Sequence, residues 1–209
     1  MLNFITIVLS LKIPYWYNPN IHNFGNTGNL GTIHALSTHL FTKIIDNTAY
    51  KGVDIRKQIY DTLEGDVLDM CCGTGFSTKP DSTGIDTSCE MIRFSNLFNP
   101  GSVYKFGNAE TYGKDLEFDI VSCMFAFHEI PKEGHLSVIE NCKRVARKKI
   151  VIVDISTDYK PSRLMLSGEP YIKDYLDDID STLCDFNKTN IIKGHIDMWV
   201  YEKSEKNLL

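Results

Sequence analysis

From Asp66 onward, short apolar and β-rich runs alternate with stretches that can form helices, a pattern that predicts a parallel sheet with helices on both faces. The expected strands are Val67–Met70, Thr83–Asp86, Val103–Phe106, Phe118–Met124 and Lys149–Ile155. Joined by crossovers, they make the core of a doubly wound α/β sheet. Beyond Asp154 the rhythm changes. Gly168-Glu169-Pro170 opens a helix through about Leu183, and two further β-rich runs follow, Asn190–Lys193 and His195–Glu202, with Gly194 between them. A glycine there predicts a hairpin. The expected fold is therefore a Rossmann-like seven-stranded sheet, mostly parallel and closed by a C-terminal antiparallel hairpin.

Ahead of Asp66 the spacing of Leu36, Leu40, Ile44 and Ile45 predicts a helix from about Thr32 to Asn47, and a second helix is expected from Asp54 to Leu63. They follow an aromatic stretch, Tyr15-Trp16-Tyr17-Asn18-Pro19, and a Gly/Asn-rich turn at Asn23–Gly31. Met1–Ile13 are apolar but lack a cationic start and a small-residue cleavage site, and they fall short of the roughly 20 residues of a membrane helix. A strand or an apolar lid segment is expected there, with no stable membrane insertion. Nothing in the chain reads as an internal repeat or a low-complexity linker, so one domain over 1–209 is expected.

Composition narrows the classes without naming a function. A hydrophobic share of 43% and a charged share of 23% over 209 residues are those of an ordinary globular domain, which excludes fibrous and disordered classes. A net charge of -5 opposes a broad polyphosphate-binding surface, so nucleic acid is not an expected partner. The basic run Lys143–Lys149 reads as a solvated helix end and turn. The cysteines Cys71, Cys72, Cys89, Cys123, Cys142 and Cys184 form no C-x-x-C pair and have no histidines at ligand spacing, so no metal site is expected. They read as packing thiols in a reducing, cytoplasmic compartment, where the Asn187-Lys188-Thr189 sequon has no meaning.

The strongest local signal is Val67-Leu68-Asp69-Met70-Cys71-Cys72-Gly73-Thr74-Gly75, a buried strand running into a turn with glycines two apart. Glycine permits positive φ and close approach of backbone to a ligand. The dinucleotide fingerprint wants a third glycine three residues on, and Thr78 stands there. Asp86, ending the next strand in Gly84-Ile85-Asp86-Thr87-Ser88, is placed to accept hydrogen bonds from both hydroxyls of a ribose. The alternative for Asp86 is a helix N-cap, a task Thr87 or Ser88 can also perform.

With Phe106-Gly107-Asn108-Ala109-Glu110 after the third strand, this order of motifs resembles the class I S-adenosylmethionine-dependent methyltransferases, closest to the small-molecule branch that includes quinone and sterol methyltransferases. The resemblance spans about Val67 to Ile155. It implies S-adenosylmethionine (SAM) as cofactor and S-adenosylhomocysteine (SAH) as product. It also implies that Gly73 and Gly75 admit the methionine moiety, that Asp69 helps hold its amino group, that Asp86 takes the ribose, and that Cys71 and Thr87 belong to the same cofactor site. Met91 would pack on the adenine, Asn108 would meet its amino group, and Ala109 would read a ring nitrogen through its backbone. Two departures stand out: the crossover Phe76–Thr83 holds at most a helix of one or two turns, and Ala146-Arg147-Lys148-Lys149 replaces the Pro-Gly-Gly turn usual in that family.

By the same resemblance Phe125 and Ala126 line the cofactor pocket, and His128 and Glu129 follow at its mouth. Methyl transfer from a sulfonium is an in-line displacement governed by alignment, and a base is needed only for some nucleophiles. His128 is the candidate base because imidazole titrates near neutral pH. Substrate choice is assigned to parts outside the shared core: Tyr15, Trp16, Tyr17, His22 and His34 ahead of it, and Tyr159, Met165, Glu169 and Tyr171 in the insertion Ser156–Tyr175. The chain thus divides into a lid and helical extension (1–65), a cofactor-binding core (66–155) and a substrate-side insertion with terminal helix and hairpin (156–209). The expected activity is methyl transfer to a small-molecule acceptor. The alternatives are a nicotinamide-dependent oxidoreductase on the same sheet and a non-catalytic protein that binds the cofactor.

Overall fold

The computed structural model describes residues 21–204. Its strands are β1 (Val67–Met70), β2 (Thr83–Asp86), β3 (Val103–Phe106), β4 (Phe118–Met124), β5 (Ala146–Ile155), β6 (Asn187–Ile192) and β7 (Ile196–Glu202). They form one seven-stranded sheet in the order β3-β2-β1-β4-β5-β7-β6. Pairings from β3 through β5 are parallel, and β7 runs antiparallel to both β5 and β6. The hairpin turns at Gly194, whose φ of 71° suits a glycine.

The helices are α1 (Gly28–Ala49), α2 (Ile55–Tyr60), α3 (Cys89–Phe98), α4 (Lys132–Val145), α5 (Arg163–Gly168) and α6 (Ile172–Thr182). One face of the sheet packs Leu68, Met70, Val121, Cys123, Ile150 and Ile152 against Val138, Ile139, Cys142 and Val145 of α4 and Ile172, Tyr175 and Ile179 of α6. The other face packs Val67, Ile120, Val151 and Val153 against Ile55 and Ile59 of α2, two residues one helical turn apart. With both faces covered, the interior strands are nearly continuous apolar runs. Asp69, buried in the middle of β1, is the exception in that strand.

Strand order reverses between β1 and its two neighbours, β2 and β4. In open α/β sheets the crevice at the carboxyl ends of such strands is where ligands bind. Over that crevice lies α1, longer at both ends than its sequence pattern predicts. It buries only Gly31, His34 and Ala35, while Leu36, Leu40 and Ile44 are exposed. Among the described residues, no helix is long and apolar enough to cross a membrane.

Four local expectations are corrected. The crossover between β1 and β2 contains turns and no helix, because Gly73, Gly75 and Asp81 take positive φ and Pro80 lacks a donor. The basic run is not a helix end followed by a turn: α4 passes directly into β5, and Arg147 and Lys148 pair with Asp119 at 3.1 and 2.9 Å. The helix expected to open at Gly168 starts instead at Ile172, and the short α5 ends at Gly168, since Glu169 is pushed out of the helical region (φ −119°, ψ 87°) by the proline that follows it. β6 begins at Asn187, three residues before the expected Asn190, because the antiparallel ladder with β7 reaches back to pair Asn187 with Val200. Met1–Ile13 and Tyr15-Trp16-Tyr17 lie outside the described residues.

Candidate functional site

A cavity of about 770 Å³ opens at the carboxyl ends of the central strands. Its floor is the turn after β1 (Cys71, Cys72, Gly73, Thr74), the end of β2 (Asp86, Thr87) and the loop after β4 (Phe125, Ala126, His128, Glu129). Thr38 and Phe41 of α1, Met91 of α3, Met165 of α5 and Glu169 complete its walls.

The turn is strapped to β2 by two amides: Cys72 N–H donates to the Ile85 carbonyl at 2.9 Å, and Gly73 N–H donates to Asp86 Oδ2 at 2.9 Å. Cys71 and Phe125, at the tips of β1 and β4, both hold a φ of 58° despite carrying side chains. Such strain gathers where a fold over-determines a site. Gly73 has φ 53°, and a Cβ there would meet nothing within 4 Å, so its backbone faces open space. Gly75 has a packing reason to be glycine. It lies off the cavity wall, and a Cβ would come within 2.6 Å of the Tyr104 hydroxyl, so glycine is required there by packing.

Asp86 lines the cavity and accepts a second backbone bond from Ser88 N–H at 2.8 Å. Burial pushes its carboxyl up to about 6, against the opposing pull of those amides. The cap of α3 is Ser88, which accepts from Met91 N–H at 3.0 Å, so Asp86 is not consumed as an N-cap. Thr87 and Met91 stand beside it on the wall.

Three residues implied by the resemblance are held away from the cavity. Asp69 is fully buried and accepts from the hydroxyls of Thr78 and Ser77 at 2.7 and 2.8 Å, with Ser122 at 3.5 Å. Burial raises its carboxyl to about 6. It ties the turn to β4 and touches no cavity space. Asn108 Oδ1 accepts from Glu110 N–H at 2.8 Å, and the Ala109 carbonyl accepts from Asn141 Nδ2 at 2.8 Å, which folds this segment against α4. Neither residue lines the wall.

On the other side, the 3₁₀ turn Phe127–Glu129 turns His128 inward, where its Nδ1 lies 2.6 Å from Asp154 Oδ1. Burial alone lowers the imidazole, but the Asp154 carboxylate outweighs it and raises His128 to about 9. A rise in that direction opposes the base role, because a group that holds its proton more tightly accepts another less readily. His22 bridges two carboxylates, with Nε2 2.7 Å from Glu129 Oε1 and Nδ1 2.6 Å from Glu169 Oε1. Burial is again outweighed, by Glu129 first and Glu169 second, and His22 rises to about 11 while Glu129 is held down at about 2 against its own burial.

Tyr171 stands at the N-cap of α6 and is not part of the wall, whereas Tyr159 and Met165 are. Tyr15 and Tyr17 lie outside the described residues. Sequence reasoning missed Arg56, whose guanidinium lies 4.1 Å over the Phe125 ring, and His195, whose ring lies 5.6 Å from that of Tyr159; both line the cavity. No spacing signal links either to the β1 turn.

Residues 68–153 match a family model described as a methyltransferase domain. That match spans 86 of the chain's 209 residues, from β1 into β5. No curated protein matches the sequence. Similar solved structures include the DhpI–SAH complex, 13% identical with a TM-score of 0.59, covering 83% of this chain and 95% of that one. A TehB-like SAM-dependent methyltransferase from Corynebacterium glutamicum is 15% identical with a TM-score of 0.54, covering 82% of this chain and 99% of that one. A SAM-dependent methyltransferase from Aquifex aeolicus is 19% identical with a TM-score of 0.52, covering 71% and 89%. The seven-stranded sheet thus shares its fold with these solved SAM-dependent methyltransferases.

Proposed function

We propose that the domain transfers the methyl group of SAM to a small-molecule acceptor held in the same cavity. The observation that carries this reading is Asp86 at the switch point, joined to the Gly73 amide at 2.9 Å beside an open backbone. The residues fit the donor. Each Asp86 oxygen accepts one amide and keeps a lone pair for a ribose hydroxyl. Met91 offers an apolar face to the adenine, Thr87 borders the ribose, and Cys71, Gly73 and Phe125 border the methionine end. When bound, SAM supplies a methyl on a sulfonium whose thioether leaves readily, so alignment does most of the work.

The protein's share of the chemistry is then to hold the acceptor in line and keep water out. A volume of about 770 Å³ falls in the range of about 300–1,000 Å³ typical of small-molecule sites. Phe41, Ile45, Tyr159 and Met165 give the acceptor side an apolar lining, with Glu129 and Glu169 as its polar contacts. His128 keeps its proton at neutral pH and orients the loop that bears Glu129; it positions and does not abstract.

Incubation with methyl-labelled SAM and a small-molecule extract is expected to give a labelled low-mass product that Asp86→Ala fails to make. Label appearing only in protein or nucleic acid would overturn the small-molecule reading. Tight SAM binding with no transfer to any extract would favour a non-catalytic binding protein. Asp86 would also suit the ribose of a nicotinamide cofactor, but Thr78 stands where that fingerprint wants a third glycine and an antiparallel hairpin closes the sheet, both against that alternative.

A further inference from the structure

His22, Glu129 and Glu169 come from three separate parts of the chain: the turn ahead of α1, the loop after β4 and the junction between α5 and α6. Their ligand atoms all lie within 4.8 Å of one another, on the wall of the cavity. A second observation singles out the trio. Glu169 is only 6% exposed, and its buried Oε2 has no hydrogen-bond partner among the described residues, although Oε1 is satisfied by His22. A buried carboxylate oxygen left bare is costly, and native folds rarely keep one without a reason.

We propose that this trio binds one divalent first-row transition ion. Two carboxylates and a neutral imidazole carry two negative charges, which such an ion cancels. One ring nitrogen and carboxylate oxygens form a mixed donor set that suits Zn²⁺ or Mn²⁺ better than the all-oxygen preference of Mg²⁺. Binding balances simply. The ion takes the place of the proton that His22 shares with the carboxylates, that proton goes to solvent, and Glu169 Oε2 gains a partner. Sequence position points to each of the three as a substrate-side residue but not to their meeting, because His22 and Glu129 are 107 positions apart. The ion would stand on the acceptor side of the cavity, where it would polarise an acceptor oxygen. That consequence rests on the methyl-transfer reading; the binding itself does not.

The test is calorimetric titration of the full chain, freed of metal by a chelator, with Mn²⁺ and with Zn²⁺ separately. Mn²⁺ is the cleaner probe because the six cysteines can hold Zn²⁺ elsewhere. We expect one Mn²⁺ per chain, weakened at least ~10-fold by Glu169→Gln and by His22→Asn. Asparagine tolerates the left-handed backbone that His22 occupies at φ 54°, so His22→Asn removes the ring nitrogens without forcing the turn. Circular dichroism checks each fold, and Glu129→Gln replaces any variant that unfolds. Absence of Mn²⁺ and Zn²⁺ binding at millimolar concentration, or binding that all folded variants retain, overturns the site. The outcome is independent of the donor: loss of SAM binding with Mn²⁺ binding intact would sink the methyl-transfer reading alone.

Discussion

Asp86→Ala lowers the affinity for SAM by at least ~100-fold while the protein stays folded. Two hydrogen bonds to a charged acceptor are lost, each worth about 1.5–3 kcal/mol, against about 1.4 kcal/mol per tenfold in affinity. The substitution also removes the acceptor that Gly73 N–H and Ser88 N–H now use, so the turn loosens at the point where its backbone must meet the ligand. Global stability moves less, because burying this carboxyl is itself unfavourable, as its rise to about 6 shows. The same rise fixes a pH dependence. Binding needs the carboxylate, so affinity is steady above about pH 6 and weakens as pH falls below it. Unchanged affinity in the alanine variant, measured at pH 7.5, would remove Asp86 from the site.

Asp154→Ala is expected to destabilise the fold by about 3–5 kcal/mol at pH 6, the cost of stripping the partner from a buried charge. Asp154 is fully buried, faces His128 Nδ1 at 2.6 Å, and also accepts from the His128 and Ile155 amides. The sign of the pH effect follows from His128. Its folded value of about 9 exceeds the ordinary 6.5, so the pair's contribution is full below pH 6.5 and is lost as pH rises through about 9. At pH 10 the gap between variant and parent should shrink to the backbone bonds alone, about 1–2 kcal/mol. Denaturant unfolding at the two pH values measures it. A gap of equal size at both would show that His128 is neutral in the folded protein.

The sheet was legible because its strands are short apolar runs with breaks at Gly73, Gly101 and Gly194, and because a parallel interior strand cannot alternate polar and apolar faces. Asp86 was legible too, as the acidic residue closing the second of those runs. What the chain order hid was how side chains are used. Asp69 sits in the family's motif, yet the hydroxyls of Ser77, Thr78 and Ser122 claim it, and no spacing rule announces three converging hydroxyls. Asn108 turns its oxygen back on its own backbone, as short polar side chains do at turns. The ordinary titration of imidazole was a poor guide to His128, because a carboxylate 26 residues away in sequence lies 2.6 Å from it in space. The ionic trio around His22 and the Arg56–Phe125 stack depend likewise on tertiary proximity.

Titrating the protein with SAM, SAH and NAD in a calorimeter tests whether the cavity is a SAM site. One equivalent of SAM or SAH should bind per chain, and NAD should give no heat. Saturable binding of NAD, with neither sulfur compound bound, would contradict the account.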